Sequence, residues 1–140
     1  MRRACWQAAP DGRYWLDTAL GTIPCRLVLD TGLTDPLGQV AFDIDAALFD
    51  VLEQSGQLLR AGERQRRDAS GRLVKLPLGF VTARLIDPAA HTPIGPPVRC
   101  LALRNFAGVV SRVGIVFFHR LTGCRVDWDL GNRLWCVECP

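Results

Sequence analysis

Asp30-Thr31-Gly32 follows the apolar run Leu27-Val28-Leu29, so a carboxylate stands at the end of a segment that reads as a buried strand, with a hydroxyl and a flexible residue behind it. Burying an unpaired ion costs on the order of several kcal/mol, so such a carboxylate must be hydrogen-bonded or share its charge. A group held in that way suits proton transfer. Asp-Thr-Gly also forms ordinary turns, and the triplet by itself leaves both readings open. Other candidates point less sharply to chemistry. Cys136-Val137-Glu138-Cys139 has the spacing of half a zinc site that Cys5, Cys124 or His119 could complete, yet the second spaced pair of a structural site is absent, so no metal or other cofactor is expected. His91 and His119 have no serine or cysteine pattern around them that would suggest a nucleophilic triad. Trp6, Trp15, Trp128 and Trp135 could stack bases, but tryptophans interleaved with apolar strand residues are read here as core.

The elements that must position these residues come from one domain, residues 1–140, since 140 residues with 49% apolar content suffice for a single core and not for two. No apolar run approaches the ~20 residues that cross a bilayer. Met1-Arg2-Arg3 is followed by Gln7, Pro10, Asp11 and Arg13, which leave no apolar core for a signal peptide, so a cytoplasmic location is expected. The net charge of +3 is too mild to imply nucleic acid, and Arg60–Arg67 reads as a solvated face. Six cysteines in such a chain are expected to be reduced and mostly buried, with a disulfide as the lesser reading.

Arg13–Leu20 and Thr22–Leu29 read as a hairpin about Gly21 that delivers Asp30. Asp45 caps a helix whose apolar residues Ala46, Leu48, Phe49 and Leu52 share a face, and Gly56 ends it. Glu63–Phe80 reads as a protruding hairpin with its tip at Ala69-Ser70-Gly71. The prolines of His91–Pro97 predict an irregular loop before a strand at Val98–Leu103. Val109-Val110 leads to Gly114 and a short helix over Ile115–Leu121, and Cys124–Val137 closes the chain with a second hairpin. The expected fold class is mainly β, a closed or semi-closed barrel with two short helices and a protruding hairpin.

That order of elements, with Leu27–Gly32, Val113–Arg120 and Cys124–Asp129, resembles the retropepsin-like (retroviral-type) aspartic proteases over about residues 13 to 138. The resemblance implies an acid-protease-like barrel and peptide hydrolysis. Asp30 would be the catalytic carboxylate, Thr31 the hydroxyl that braces paired loops, Gly32 the backbone that lets substrate approach, and Gly114 the residue packed behind the loop. Ala69, Ser70 and Gly71 would form the flap tip over the substrate. The chain departs from the family at Leu33, where Ala or Ser is usual, and at Asp35, where a small residue is common; Leu33 is expected to narrow the cleft and Asp35 to add negative charge.

Hydrolysis by this chemistry needs two carboxylates, one ionised to activate water and one protonated to donate to the carbonyl. The chain has one Asp-Thr-Gly, so a two-fold homodimer must bring Asp30 from each subunit together. Carboxylates that close share a proton, for which aspartic proteases are the standard example. The implied partners are a second copy and a polypeptide substrate, with neither nucleic acid nor membrane. The alternative from another class is a catalytically inactive dimeric peptide-binding module of the same fold.

Overall fold

In the computed structural model, which describes residues 1–33, 35 and 37–140, β-structure begins almost at the first residue. The strand β1 (Arg2–Gln7) turns Ala4 and Trp6 inward. The hairpin of β2 (Trp15–Leu20) and β3 (Ile23–Leu29) turns at Gly21, whose φ of +58° is a left-handed conformation that glycine adopts without a Cβ penalty. A fully buried strand, β4 (Val40–Ile44), comes next and has no counterpart in the elements expected from sequence. The helix α1 (Ala46–Gln54) starts where expected, with the Asp45 carboxylate accepting the N–H of Ala47, and buries Ala46, Phe49 and Leu52.

The long hairpin β5 (Leu58–Arg67) and β6 (Leu73–Ile86) follows, then β7 (Pro93–Arg104), the two-residue β8 (Arg112–Val113) and α2 (Ile115–His119). The chain ends in the hairpin of β9 (Arg125–Asp129) and β10 (Leu134–Cys139). Two sheets result. One runs β1-β10-β9; the other runs β2-β3-β8-β4-β7-β6-β5, and a further pairing of β2 with β6 turns it into a partly ring-like sheet. The mainly β class with two helices is therefore the fold. Leu16, Leu20, Phe42, Phe49, Leu85 and Phe117 fill its interior, and a smaller cluster of Val40, Leu76, Leu78 and Leu103 lies under the base of the long hairpin.

Two expectations are corrected. The prolines at 93–97 lie within β7 and not in a loop: Pro93 opens the strand, and Gly95-Pro96-Pro97 bulge outward opposite Arg84, between the pairs Ala83↔Val98 and Leu85↔Ile94, where no ladder N–H is needed. The connection is instead Asp87–Thr92. The cysteines are also not all reduced. Cys5 and Cys136 face each other across β1 and β10 with Cα atoms 4.1 Å apart and form a disulfide, and Cys124 bonds Cys139. Composition speaks to the compartment, whereas pairing depends on which strands become neighbours. With Cys136 and Cys139 bonded elsewhere, the half zinc site has no thiolates to offer, and the thiol argument for a cytoplasmic location no longer applies. Cys25 and Cys100 are free; burial raises both thiols, Cys100 to about 12. No helix among the described residues is long and apolar enough to cross a membrane.

Candidate active site

Asp30 leaves β3 at a point where three strands hold the backbone. Its N–H donates to the Val113 carbonyl, the N–H of Leu29 donates to Tyr14, and the N–H of Val28 donates to Ser111. Parallel pairing of β3 with β8 thus sets Val113 and Gly114 beside the triplet. The N–H of Gly114 donates to Ala41 of β4, which ties the third strand in. The carboxylate projects from this rigid base. Its Oδ1 accepts the Gly32 N–H at 3.0 Å, so one oxygen is oriented by the backbone of the loop it belongs to. Its Oδ2 lies 3.3 Å from Nη1 of Arg112, with Asp30 31% exposed and Arg112 50% exposed. The pair is open to water, which weakens it relative to a buried one.

The carboxylate opens into a cavity of about 500 Å³. Val28, Leu29, Val109 and Val110 supply apolar walls, and Arg13 and Arg112 supply charge. Neither arginine stands among the site residues expected from sequence. Arg112 did leave a signal, since it is the one cation in Val109–Val113, a stretch that is otherwise apolar except for Ser111. Thr31 is exposed, and its hydroxyl has no partner among the described residues of this chain.

The two departures, Leu33 and Asp35, are both engaged within the chain itself. Leu33 is 6% exposed and turns inward, where its Cβ, Cδ2 and carbonyl oxygen lie 3.1 Å from where a Cβ on Gly114 would stand. Leu33 does not line the cavity beside Asp30 within one chain, and the room it takes is the room that Gly114 vacates. Asp35 likewise spends its charge locally. Burial pushes its carboxyl up, but the N–H groups of Val40, Gln39 and Leu37 together with Arg64 outweigh burial and hold it below its ordinary value.

Arg64 belongs to β5, and a second arginine of that strand does the same further out. Arg66 Nη1 lies 2.6 Å from Oδ2 of Asp43, a carboxylate only 2% exposed, whose Oδ1 accepts from Asn105 at 2.6 Å. These two ion pairs lean the outer arm of the long hairpin on the segment that follows Asp30. The tip itself is built by Asp68, whose Oδ1 accepts the N–H groups of Ser70 and Arg72 and the Ser70 hydroxyl, while Gly71 takes a φ of +82°. Ala69, Ser70 and Gly71 are exposed at that tip, and no hydrogen bond joins them to the Asp30 loop among the described residues. Within one chain, then, Asp30, Gly32 and Gly114 are brought together, and the hairpin tip stands apart.

The remaining candidates are dispersed. Trp6 and Trp135 are core, Trp15 is half-buried, and Trp128 is exposed on one face while its Nε1 donates to the Tyr14 hydroxyl. His91 and His119 are exposed and line different cavities. Among the described residues, no group of three or more His, Cys, Asp or Glu is gathered as a metal site requires.

No protein-family model matches the chain, and neither does any curated protein. Solved structures do. The crystal structure of a retropepsin-like aspartic protease from Rickettsia conorii superposes with a TM-score of 0.63 over 99% of this chain and 91% of that one, at 12% sequence identity. At that identity the likeness is one of fold, and the fold of this chain is that of the retropepsin-like aspartic proteases.

Proposed function

We propose that the chain is an aspartic endopeptidase that works as a homodimer, with Asp30 of each subunit meeting across a two-fold axis. The observation that carries the reading is Asp30 itself: a carboxylate on a three-strand base, one oxygen oriented by the Gly32 N–H and the other facing a 500 Å³ cavity, in a retropepsin-like fold. One Asp30 of the pair, ionised, takes a proton from water as it attacks the peptide carbonyl. The other, protonated, donates to the carbonyl oxygen, and collapse of the tetrahedral intermediate passes a proton to the leaving amine. Thr31 would brace the paired loops across the axis, and Gly32 would let the peptide backbone come close. The substrate would lie extended beneath Ala69-Ser70-Gly71 and bind through main-chain hydrogen bonds as an added strand.

A second reading, an inactive dimeric peptide-binding module, draws support from the Arg112 guanidinium on the outer oxygen of Asp30. Hydrolysis of an unstructured protein pool from pH 3 to 8 separates the two. Asp30→Asn keeps the size and most hydrogen bonds of the group and is expected to lower turnover by roughly 10²–10⁴-fold, the scale of a lost acid–base catalyst, with the melting temperature unchanged. Turnover that survives the substitution defeats the peptidase reading. Peptide binding without turnover in either protein supports the binding module. Sedimentation at micromolar concentration tests the dimer, and a stable monomer counts against both readings.

A further inference from the structure

We propose that the cleft beside Asp30 selects a carboxylate of the substrate close to the bond to be cut, and that Arg112 is the residue that determines this specificity. The inference rests on the peptidase reading and deepens it by naming the substrate class. Arg112 and Arg13 share the cavity with Asp30, against the apolar wall of Val109 and Val110. Arg112 gives Asp30 one N–H, from Nη1, and its remaining donors have no partner among the described residues. Among the described residues the Arg13 side chain reaches only Asp11, at 3.8 Å, with both side chains more than half exposed. Two guanidinium groups therefore line a cavity to which one carboxylate contributes.

That surplus decides what the cleft can bury. A guanidinium has five N–H donors and does not lose its charge at any pH at which the protein is folded. An apolar side chain laid over Arg112 would strip water from those donors and replace it with nothing. A carboxylate accepts two parallel N–H bonds in the same place, and its methylenes pack on the valines. The site then favours the acidic residue by the penalty its competitor suffers, which is how a buried polar pocket discriminates most strongly. The hairpin expected to cover the substrate carries the same sign, with Arg67, Arg72 and Lys75 exposed near its tip.

The test uses the full-length protein and acetylated, amidated peptides that differ in one residue, Glu, Leu or Lys, at each position around a common centre. Glu peptides are expected to be cut with a kcat/KM about ten-fold or more above their Leu counterparts at one position, and Arg112→Leu is expected to invert that order. Equal rates in the unmodified protein, or a Glu preference that persists in Arg112→Leu, overturn the assignment. Binding of the same peptides to Asp30→Asn and to the Asp30→Asn, Arg112→Leu double variant reads the subsite without turnover. Tighter binding of Glu peptides that vanishes in the double variant supports the subsite even if the unmodified protein cuts nothing, in which case only the hydrolytic reading fails. Indifference of both variants to Glu overturns the subsite and leaves hydrolysis untouched. Free-acid versions of the peptides identify the source: a preference in amidated peptides assigns a side chain, and one confined to free acids assigns the chain terminus, both supporting a carboxylate subsite.

Discussion

Gly114 and Leu33 are a size exchange between two neighbouring loops. A Cβ at position 114 would sit 3.1 Å from Leu33 Cβ, Leu33 Cδ2 and the Leu33 carbonyl, and the carbonyl belongs to a backbone already tied to Asp30 by the bond from the Leu33 N–H. Gly114→Val is expected to cost about 1–3 kcal/mol, the range for overpacking, and to move the Asp30 loop. Adding Leu33→Ala should return part of that stability, and a double-mutant cycle by urea denaturation measures the coupling; simple additivity would deny the contact. Asp35 sets a pH dependence at the same scale. Its folded carboxyl lies below the ordinary value of 3.8, so it adds stability that is complete above that value and is lost as pH falls through the depressed one. Glu138, beside Arg3 and Arg125, and Asp50, beside Arg104, are shifted in the same direction. Urea midpoints should therefore fall as pH is lowered below the ordinary carboxyl range, and less steeply in Asp35→Asn. An unchanged slope in that variant would show that Asp35 has no part in the acid loss.

The long hairpin has two halves with different physics. Its base is packed, with Leu76 and Leu78 buried in the small cluster with Val40 and Leu103. Its outer arm is exposed and is held by charge, through Arg64 with Asp35 and Arg66 with Asp43. Segments that bury little apolar surface open at low free-energy cost. Amides from Arg67 to Val74 should exchange with solvent well before those from Leu78 to Ile86, read by hydrogen exchange and mass spectrometry. Deletion of Ala69–Gly71 should then weaken peptide binding or turnover and leave the melting temperature within a few degrees. Global unfolding after that deletion would mark the tip as core.

At the scale of the molecule, both chain ends are stapled to one three-stranded sheet. Cys5–Cys136 closes a loop of 131 residues and Cys124–Cys139 one of 15. Chain-entropy arithmetic assigns on the order of 5 kcal/mol to the first and about 3 kcal/mol to the second, and native disulfides of small domains typically contribute 2–5 kcal/mol. Reduction should lower the melting temperature by more than 10 °C, since about 1 kcal/mol corresponds to roughly 2–8 °C in domains of this size range. Calorimetry with and without a phosphine reductant checks it. Alkylation under denaturing, non-reducing conditions should label Cys25 and Cys100 alone; labelling of all six would show that neither bond forms.

What could be read from the sequence was local. The hairpin at Gly21, the Asp45-capped helix, the tip at Ala69–Gly71 and the closing hairpin each depend on a few adjacent residues, whose turn chemistry and periodicity act without the rest of the chain. Asp30 was singled out in the same way, by an apolar run that ends in a carboxylate. The order of those elements was enough to suggest the fold. What only the tertiary structure decided depends on residues far apart in the chain. The β2–β6 pairing that makes the sheet partly ring-like joins residues some 65 positions apart, and β1 finds its partner at the other end of the chain. The Cys5–Cys136 disulfide follows from that second pairing, and the prolines of β7 are tolerated because a bulge meets them. The inward turn of Leu33 depends on a glycine 81 positions away, and Arg112 meets Asp30 only because β8 lies parallel to β3. Local propensity does not encode such contacts; they exist once burial of the common core has brought the strands together.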